Sequence, residues 1–293
     1  MKIKALALSL FLACSIVPNV YAEDAVEYSP ALVKKAEKGD AQAQYDLGEA
    51  YYQGYNVEQD YEKAFEWYKK SAAKGNLDGI FSVGYMYDNG EFVEENNPEA
   101  MKWYLKAANK GHAFSQYYIG SMLEEGEDGV EADPKKSVEW IKKAADGGYA
   151  QAQNHLGYNY ANGINVDEDK ALAVKYYRLG AAQDYDEAQN NLGTMYHLGE
   201  GVEQNYAEAM RLYKLAYEQG NELAASNIGL LYENGEGVTK NYKTAAEYYE
   251  QAVELGDSSS LENLADLYEE GGFGLKKDLR KSKEYRKQYA EQQ

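Results

Sequence analysis

The sequence predicts an all-α solenoid of about seven stacked two-helix units, and three observations carry that reading. The dipeptides Leu47-Gly48, Val83-Gly84, Ile119-Gly120, Leu156-Gly157, Leu192-Gly193, Ile228-Gly229 and Leu264-Ala265 recur at intervals of 36, 36, 37, 36, 36 and 36 residues. A constant period of this size marks one structural unit copied and stacked. Within each interval two amphipathic helical faces follow one another, and a glycine stands near the end of the second.

The elements follow in chain order. Residues 1–22 predict a secretory signal peptide: Lys2 and Lys4 precede an apolar stretch from Ala5 to Val17, Pro18 breaks it, and Val20-Tyr21-Ala22 offers a small-residue cleavage site. Cleavage near Ala22 starts the mature chain at Glu23 and sends it to the periplasm or out of the cell. Leu12-Ala13-Cys14 is the competing lipoprotein box, which would anchor the protein to a membrane, although Phe11 fits poorly three places before the cysteine. Cys14 is the sole cysteine and leaves with the leader, so packing alone must stabilise the rest.

Residues 23–40 read as an N-terminal extension and capping helix: Ser29-Pro30 starts a helix from Ala31 to Lys38, and Gly39 closes it 36 residues before Gly75. Residues 41–275 hold the repeats. In the first, Ala43, Leu47, Gly48 and Tyr51 share one face of a first helix, and Ala64, Trp67, Tyr68, Ser71 and Ala72 share one face of a second. The first helix's tyrosine returns as Tyr87, Tyr160, Tyr196, Tyr232 and Tyr268, with Leu123 as the exception; the second helix's aromatic returns as Trp103, Trp140, Tyr176, Tyr248 and Tyr285, with Leu212 as the exception. Asn97-Pro98 and Asp133-Pro134 predict capped starts of second helices, and Gly75, Gly111, Gly148, Gly220 and Gly256 predict left-handed ends, with Asp184 the odd one out. The 37-residue interval reflects one extra residue in the turn Gly126 to Val130. Residues 276–293 form a polar C-terminal capping helix, as terminal units of solenoids require.

A glycine inside a helix costs about 1 kcal/mol relative to alanine. Six first helices nevertheless keep one after the apolar residue, which predicts close approach of a large aromatic from a second helix of the same or the adjacent unit.

Charge narrows the partners. Without the leader's two lysines the chain has 28 basic and 49 acidic residues. That balance argues against nucleic acid and anionic lipid, so the expected partner is a protein or peptide, and a monomer is the expected state. From Lys276 to Gln293, seven basic residues face three acids, which reads as a solvated capping helix.

The string Ala-x-x-x-Leu-Gly-x-x-Tyr-x-x-Gly-x-Gly-Val, followed by Lys/Glu-Ala-x-x-Trp/Tyr-Tyr-x-x-Ala-Ala-x-x-Gly, resembles the Sel-one-like repeat family, a relative of tetratricopeptide repeats. The fullest copies run Ala188 to Gly220 and Ala224 to Gly256, with Gly199-Glu200-Gly201-Val202 and Gly235-Glu236-Gly237-Val238 as turns. The resemblance implies a right-handed superhelix of antiparallel helix pairs that serves in bacteria as an adaptor or scaffold for other proteins. Secreted members stapled by a disulfide in each repeat differ from this chain, which has no cysteine after the leader.

Two ladders are candidate partner sites. Just before each Leu-Gly stand Asp46, Ser82, Tyr118, His155, Asn191, Asn227 and Asn263; by similarity to tetratricopeptide folds the first helix lines the concave face, where asparagine amides would bind a peptide backbone. The competing reading gives these asparagines turn-facing or intra-repeat hydrogen bonds. One place earlier stand Tyr45, Phe81 and Tyr117, then Asn154, Asn190, Ser226 and Glu262, a change from aromatic to polar. Aromatics at this spacing fit a core as well as a sticky N-terminal surface.

No catalytic residue, metal site or cofactor is expected. Ser71-Ala72-Ala73-Lys74 matches the Ser-x-x-Lys of penicillin-recognising enzymes, yet Ser71 occupies a packing site held by Ala107 in the next copy. His112, His155 and His197 fall at three different repeat positions and read as surface or groove residues, and Asp167-Glu168-Asp169 lacks a calcium-loop pattern. The function expected is therefore that of an exported, non-enzymatic repeat protein binding another protein through its concave groove. The alternatives are a periplasmic immunity protein that occludes a toxin enzyme, a secreted host-interacting factor and, last, a hydrolase.

Overall fold

A computed structural model describes residues 27–292, and these form helices α1 to α15. The predicted signal peptide, its cleavage site and Cys14 lie outside them. A lone helix, α1 (Pro30–Glu37), precedes seven pairs: α2 (Ala41–Gln53) with α3 (Tyr61–Ala73), α4 (Leu77–Asp88) with α5 (Asn97–Ala108), α6 (Ala113–Glu125) with α7 (Pro134–Asp146), α8 (Ala150–Asn162) with α9 (Lys170–Ala181), α10 (Asp186–Leu198) with α11 (Tyr206–Glu218), α12 (Glu222–Asn234) with α13 (Tyr242–Leu255), and α14 (Ser260–Glu270) with α15 (Leu279–Glu291). Among the described residues no helix is long and apolar enough to cross a membrane.

Two compact units divide the chain, one ending at Ala152 and the other starting at Gln153. In the N-terminal unit α2 packs on α3, α4 on α5 and α6 on α7, while α3 meets α4 and α5 meets α6. The C-terminal unit repeats the scheme, with α9 against α10, α11 against α12 and α13 against α14 between its pairs. The pairs are antiparallel: Ser71 at the end of α3 donates to the carbonyl of Ala41 at the start of α2, and Tyr52 at the end of α2 packs on Tyr61 at the start of α3.

Side-chain chemistry sets the helix starts. Second helices begin behind Asp60, Asn96, Asp133, Asp169, Asn205, Asn241 and Asp278, each accepting a hydrogen bond from a backbone N–H two or three residues on. One start differs from expectation. Asn96, not Asn97, caps α5, which leaves Pro98 as the second helical residue, where a missing N–H is still harmless. The second helices end as predicted: Gly75, Gly111, Gly148, Gly220 and Gly256 all have positive φ, and Asp184 adopts φ +58° in place of the missing glycine.

The core sits where a second helix meets the next first helix. Ala64, Phe65 and Tyr68 of α3 enclose Val83 and Met86 of α4, and Ala209, Met210, Tyr213 and Ala216 of α11 enclose Ala224, Ile228 and Leu231 of α12. Burying one such Leu or Ile contributes about 1.5–3 kcal/mol, too little for a single pair, so stacking is obligatory.

The six glycines that follow the apolar residue of the repeat have a single explanation. A Cβ built on Gly48, Gly84, Gly157, Gly193 or Gly229 would lie 2.6–2.9 Å from the ring of Tyr68, Tyr104, Tyr177, Tyr213 or Tyr249, and one on Gly120 would lie 2.5 Å from Ile141 Cγ1. The partner is thus the second helix of the same unit, and it is the residue one place after the aromatic ladder aligned from sequence. That earlier ladder instead stacks on the first helix's tyrosine, as in Tyr160–Tyr176, Tyr232–Tyr248 and Tyr268–Tyr285 with ring centroids 5.8–5.9 Å apart. In the last pair Arg286 replaces the tyrosine and Ala265 replaces the glycine.

Candidate partner-binding face

The two candidate ladders form one seam. At three repeat boundaries, each within one unit, a residue three places before the helical glycine meets, in the next repeat, the residue two places before it. In the C-terminal unit the seam is polar: Asn191 Nδ2 donates to Asn154 Oδ1 at 2.9 Å, and Asn227 Nδ2 donates to Asn190 Oδ1 at 2.9 Å. Asn190 and Asn191 are fully enclosed and Asn227 is 3% exposed. Their place differs from the open amide ladder expected: these amides hold adjacent repeats together, between repeats rather than within one. Asn263 is half-buried and His155 buried.

In the N-terminal unit the same seam is aromatic, with Phe81 and Tyr118 edge to face at 5.1 Å. Phe81 is buried, whereas Tyr45, Tyr117 and Tyr118 are half-buried and line a continuous stripe. From Tyr52 the stripe passes to Tyr85 (6.5 Å between centroids), Tyr118 (6.2 Å), Tyr117 (6.2 Å) and Tyr149 (5.2 Å). Tyr52, Tyr85 and Tyr149 were not among the sequence candidates. For Tyr52 and Tyr85 the signal was present: Tyr45, Glu49 and Tyr52, like Phe81, Tyr85 and Asp88, are spaced i, i+4, i+7 and so share one face of a first helix.

Carboxylates border this stripe. Tyr52 donates to Glu91 Oε1 at 2.8 Å, Tyr68 to Glu49 Oε1 at 2.6 Å and Tyr104 to Asp88 Oδ2 at 2.9 Å. Burial pushes Asp88 up to about 6 and raises Glu49 and Glu91, while the tyrosine hydroxyl bonded to each pulls the other way. The arrangement offers flat aromatic surface and hydrogen-bond acceptors side by side.

The other candidates are committed to structure. Ser71 is buried and donates to Ala41, so its hydroxyl faces a backbone carbonyl instead of a cleft. The histidines are more enclosed than expected: His112 caps α6 and lies 3.2 Å from Asp78, His197 is buried 2.7 Å from Glu236, and His155 is buried on α8. Among the described residues no group of three or more His, Cys, Asp or Glu is placed to hold a metal ion.

A family model described as Sel1 repeat matches seven times, over residues 41–76, 77–112, 113–149, 150–185, 186–221, 223–257 and 258–292. Among solved structures, c5321, a protective antigen of uropathogenic Escherichia coli strains displaying an SLR fold, is 31% identical over 89% of this chain with a TM-score of 0.56. The match covers 64% of that protein's chain. A Sel1 repeat protein from Oxalobacter formigenes is 27% identical over 84% of this chain and 96% of its own, with a TM-score of 0.74. No curated protein is found to match.

Proposed function

From the premise that this chain belongs to the Sel1 repeat family, we propose that it is an exported, non-enzymatic adaptor or scaffold that holds another protein against its first-helix face. The observation that carries the reading is the row of half-buried tyrosines across α2, α4 and α6. Second helices bury their large tyrosines under the helical glycines, which accounts for stability, yet the packing leaves the stripe's rings part-exposed over three successive repeats. Side-by-side aromatic surface of this kind supplies contact area at small entropic cost. Ser71, the serine of the Ser-x-x-Lys match, is buried and donates to the Ala41 carbonyl, which favours binding over turnover.

The test is capture of partners from an envelope extract by the wild-type chain and two charge variants, with each captured protein identified. Ser121→Lys on α6, at the repeat position that Tyr85 holds on α4, is expected to abolish capture of a partner that Lys106→Glu on α5 retains. The opposite pattern would move the site to the second helices and overturn the proposal. Fractionation of cells checks export: the protein belongs in the periplasm or the medium, and retention in the cytoplasm contradicts it.

A further inference from the structure

Charge is segregated between the two helices of every pair. The seven first helices, α2, α4, α6, α8, α10, α12 and α14, carry fourteen Asp or Glu and not one Lys or Arg. Their partners α3, α5, α7, α9, α11, α13 and α15 carry twenty Lys or Arg against twelve Asp or Glu. Overall acidity alone would not produce this division, because the basic residues are numerous and, within the seven pairs, are confined to one member of each pair and to the turns. Several of those lysines are occupied by their own helices: Lys70, Lys106 and Lys143 lie 3.5–3.8 Å above the rings of Trp67, Trp103 and Trp140.

On α2, α4 and α6 the cation-free surface coincides with the aromatic stripe. Tyr52, Tyr85, Tyr117 and Tyr118 present ring surface, and Glu49, Asp88 and Glu91 stand among them as acceptors. Glu91 is half-buried beside Tyr52, which holds its Oε1. A guanidinium or ammonium group answers both features, since it is drawn to the face of an aromatic ring and donates to carboxylates. A neutral peptide would leave the acidic groups without counter-charge, and an acidic one would be repelled.

We propose that the stripe on α2, α4 and α6 binds a lysine- or arginine-rich segment of a partner protein, the cations lying over Tyr52, Tyr85 and Tyr118 and donating to the bordering carboxylates. This rests on the reading that the first-helix face is the protein-binding face, and it names the partner's chemistry.

The test uses the full chain and three fluorescein-labelled peptides on a glycine-serine frame, one rich in arginine, one rich in leucine and phenylalanine, one rich in glutamate, followed by fluorescence anisotropy. The arginine peptide is expected to bind, to weaken steeply from about 50 to about 500 mM salt as screening tightens, and to lose about three- to tenfold in affinity with Tyr85→Leu or Tyr118→Leu. Glu91→Gln, which keeps size and shape, should weaken it several-fold with thermal unfolding unchanged, and Glu66→Gln and Glu139→Gln on the second helices should not. Binding of the leucine-phenylalanine peptide alone, sensitive to Tyr85→Leu, would overturn the cationic inference and leave the protein-binding face standing. Arginine-peptide binding indifferent to the Tyr85, Tyr118 and Glu91 variants but lost with Glu66→Gln or Glu139→Gln would overturn both, as would failure of all three peptides to bind.

Discussion

At the scale of the residue, the helical glycines and the buried asparagines carry the most information. Gly193 faces Tyr213 so closely that any Cβ must displace the ring. Gly193→Val is expected to cost about 1–3 kcal/mol by overpacking, read as a lower midpoint in thermal or denaturant unfolding; an unchanged midpoint would refute the packing. The reverse change, Ala265→Gly, falls in the pair where Arg286 stands in the tyrosine's place in the sequence, and should cost only the helix-propensity difference of about 1 kcal/mol. Asn227→Ala removes the donor to buried Asn190 Oδ1 and should cost about 1–3 kcal/mol, with the Asn190→Leu/Asn227→Leu double variant less destabilised than either single change predicts. The asparagine seam was hidden from the sequence for a definite reason. Its partners are 37 residues apart while the repeat is 36, so aligning copies places them in different columns.

At the scale of the element, most of the fold was legible because the signals are local and repeated. The caps at Asp133 and Ser29, the closing glycines and the extra residue at Gly126 to Val130 each depend on chemistry within a few residues of the chain. What resisted reading was the choice between adjacent residues of one type. Asn96 and Asn97 are both competent caps, and the Trp67-Tyr68 and Tyr176-Tyr177 pairs each offer two aromatics, so only packing decides which one meets the glycine. Asp184 gives an element-scale prediction. Holding an L-residue at φ +58° costs about 1–2 kcal/mol, so Asp184→Gly should raise the melting temperature by relieving it, whereas Gly220→Asp should lower it.

At the scale of the whole molecule, buried carboxyls make stability depend on pH with an unusual sign. Asp88 is raised to about 6, by burial first and then by Glu95, with Tyr104 opposing; Glu187 is raised to about 7, by burial first, with Tyr185 opposing and Asp186 and Glu222 adding to the rise. A carboxyl whose pKa is higher folded than unfolded binds more protons in the folded state, so its contribution grows as pH falls. Thermal stability is therefore expected to rise from pH 8 to about pH 5. Below about pH 4 the capping carboxylates Asp40, Asp60, Asp133 and Asp278, whose pKa values are lowered by hydrogen bonds from backbone and lysine, protonate and the trend reverses. A melting temperature that falls steadily from pH 8 to pH 5 would contradict this account of the buried acids.

The face itself was half legible. Tyr45, Tyr117 and Tyr118 stood in the candidate ladders, but Tyr52 and Tyr85 join them only when the spacing along each first helix is combined with the stacking of α2, α4 and α6. Likewise, the division of acidic from basic helices emerges only once the helix boundaries are known. The most direct measurement is site-specific photo-crosslinking in cells, with a photoreactive amino acid placed at Ser121 on α6 or at Lys106 on α5. A partner seated on the first-helix face gives a discrete adduct with another protein from position 121 and none from 106; an adduct formed only from 106 would contradict binding at that face.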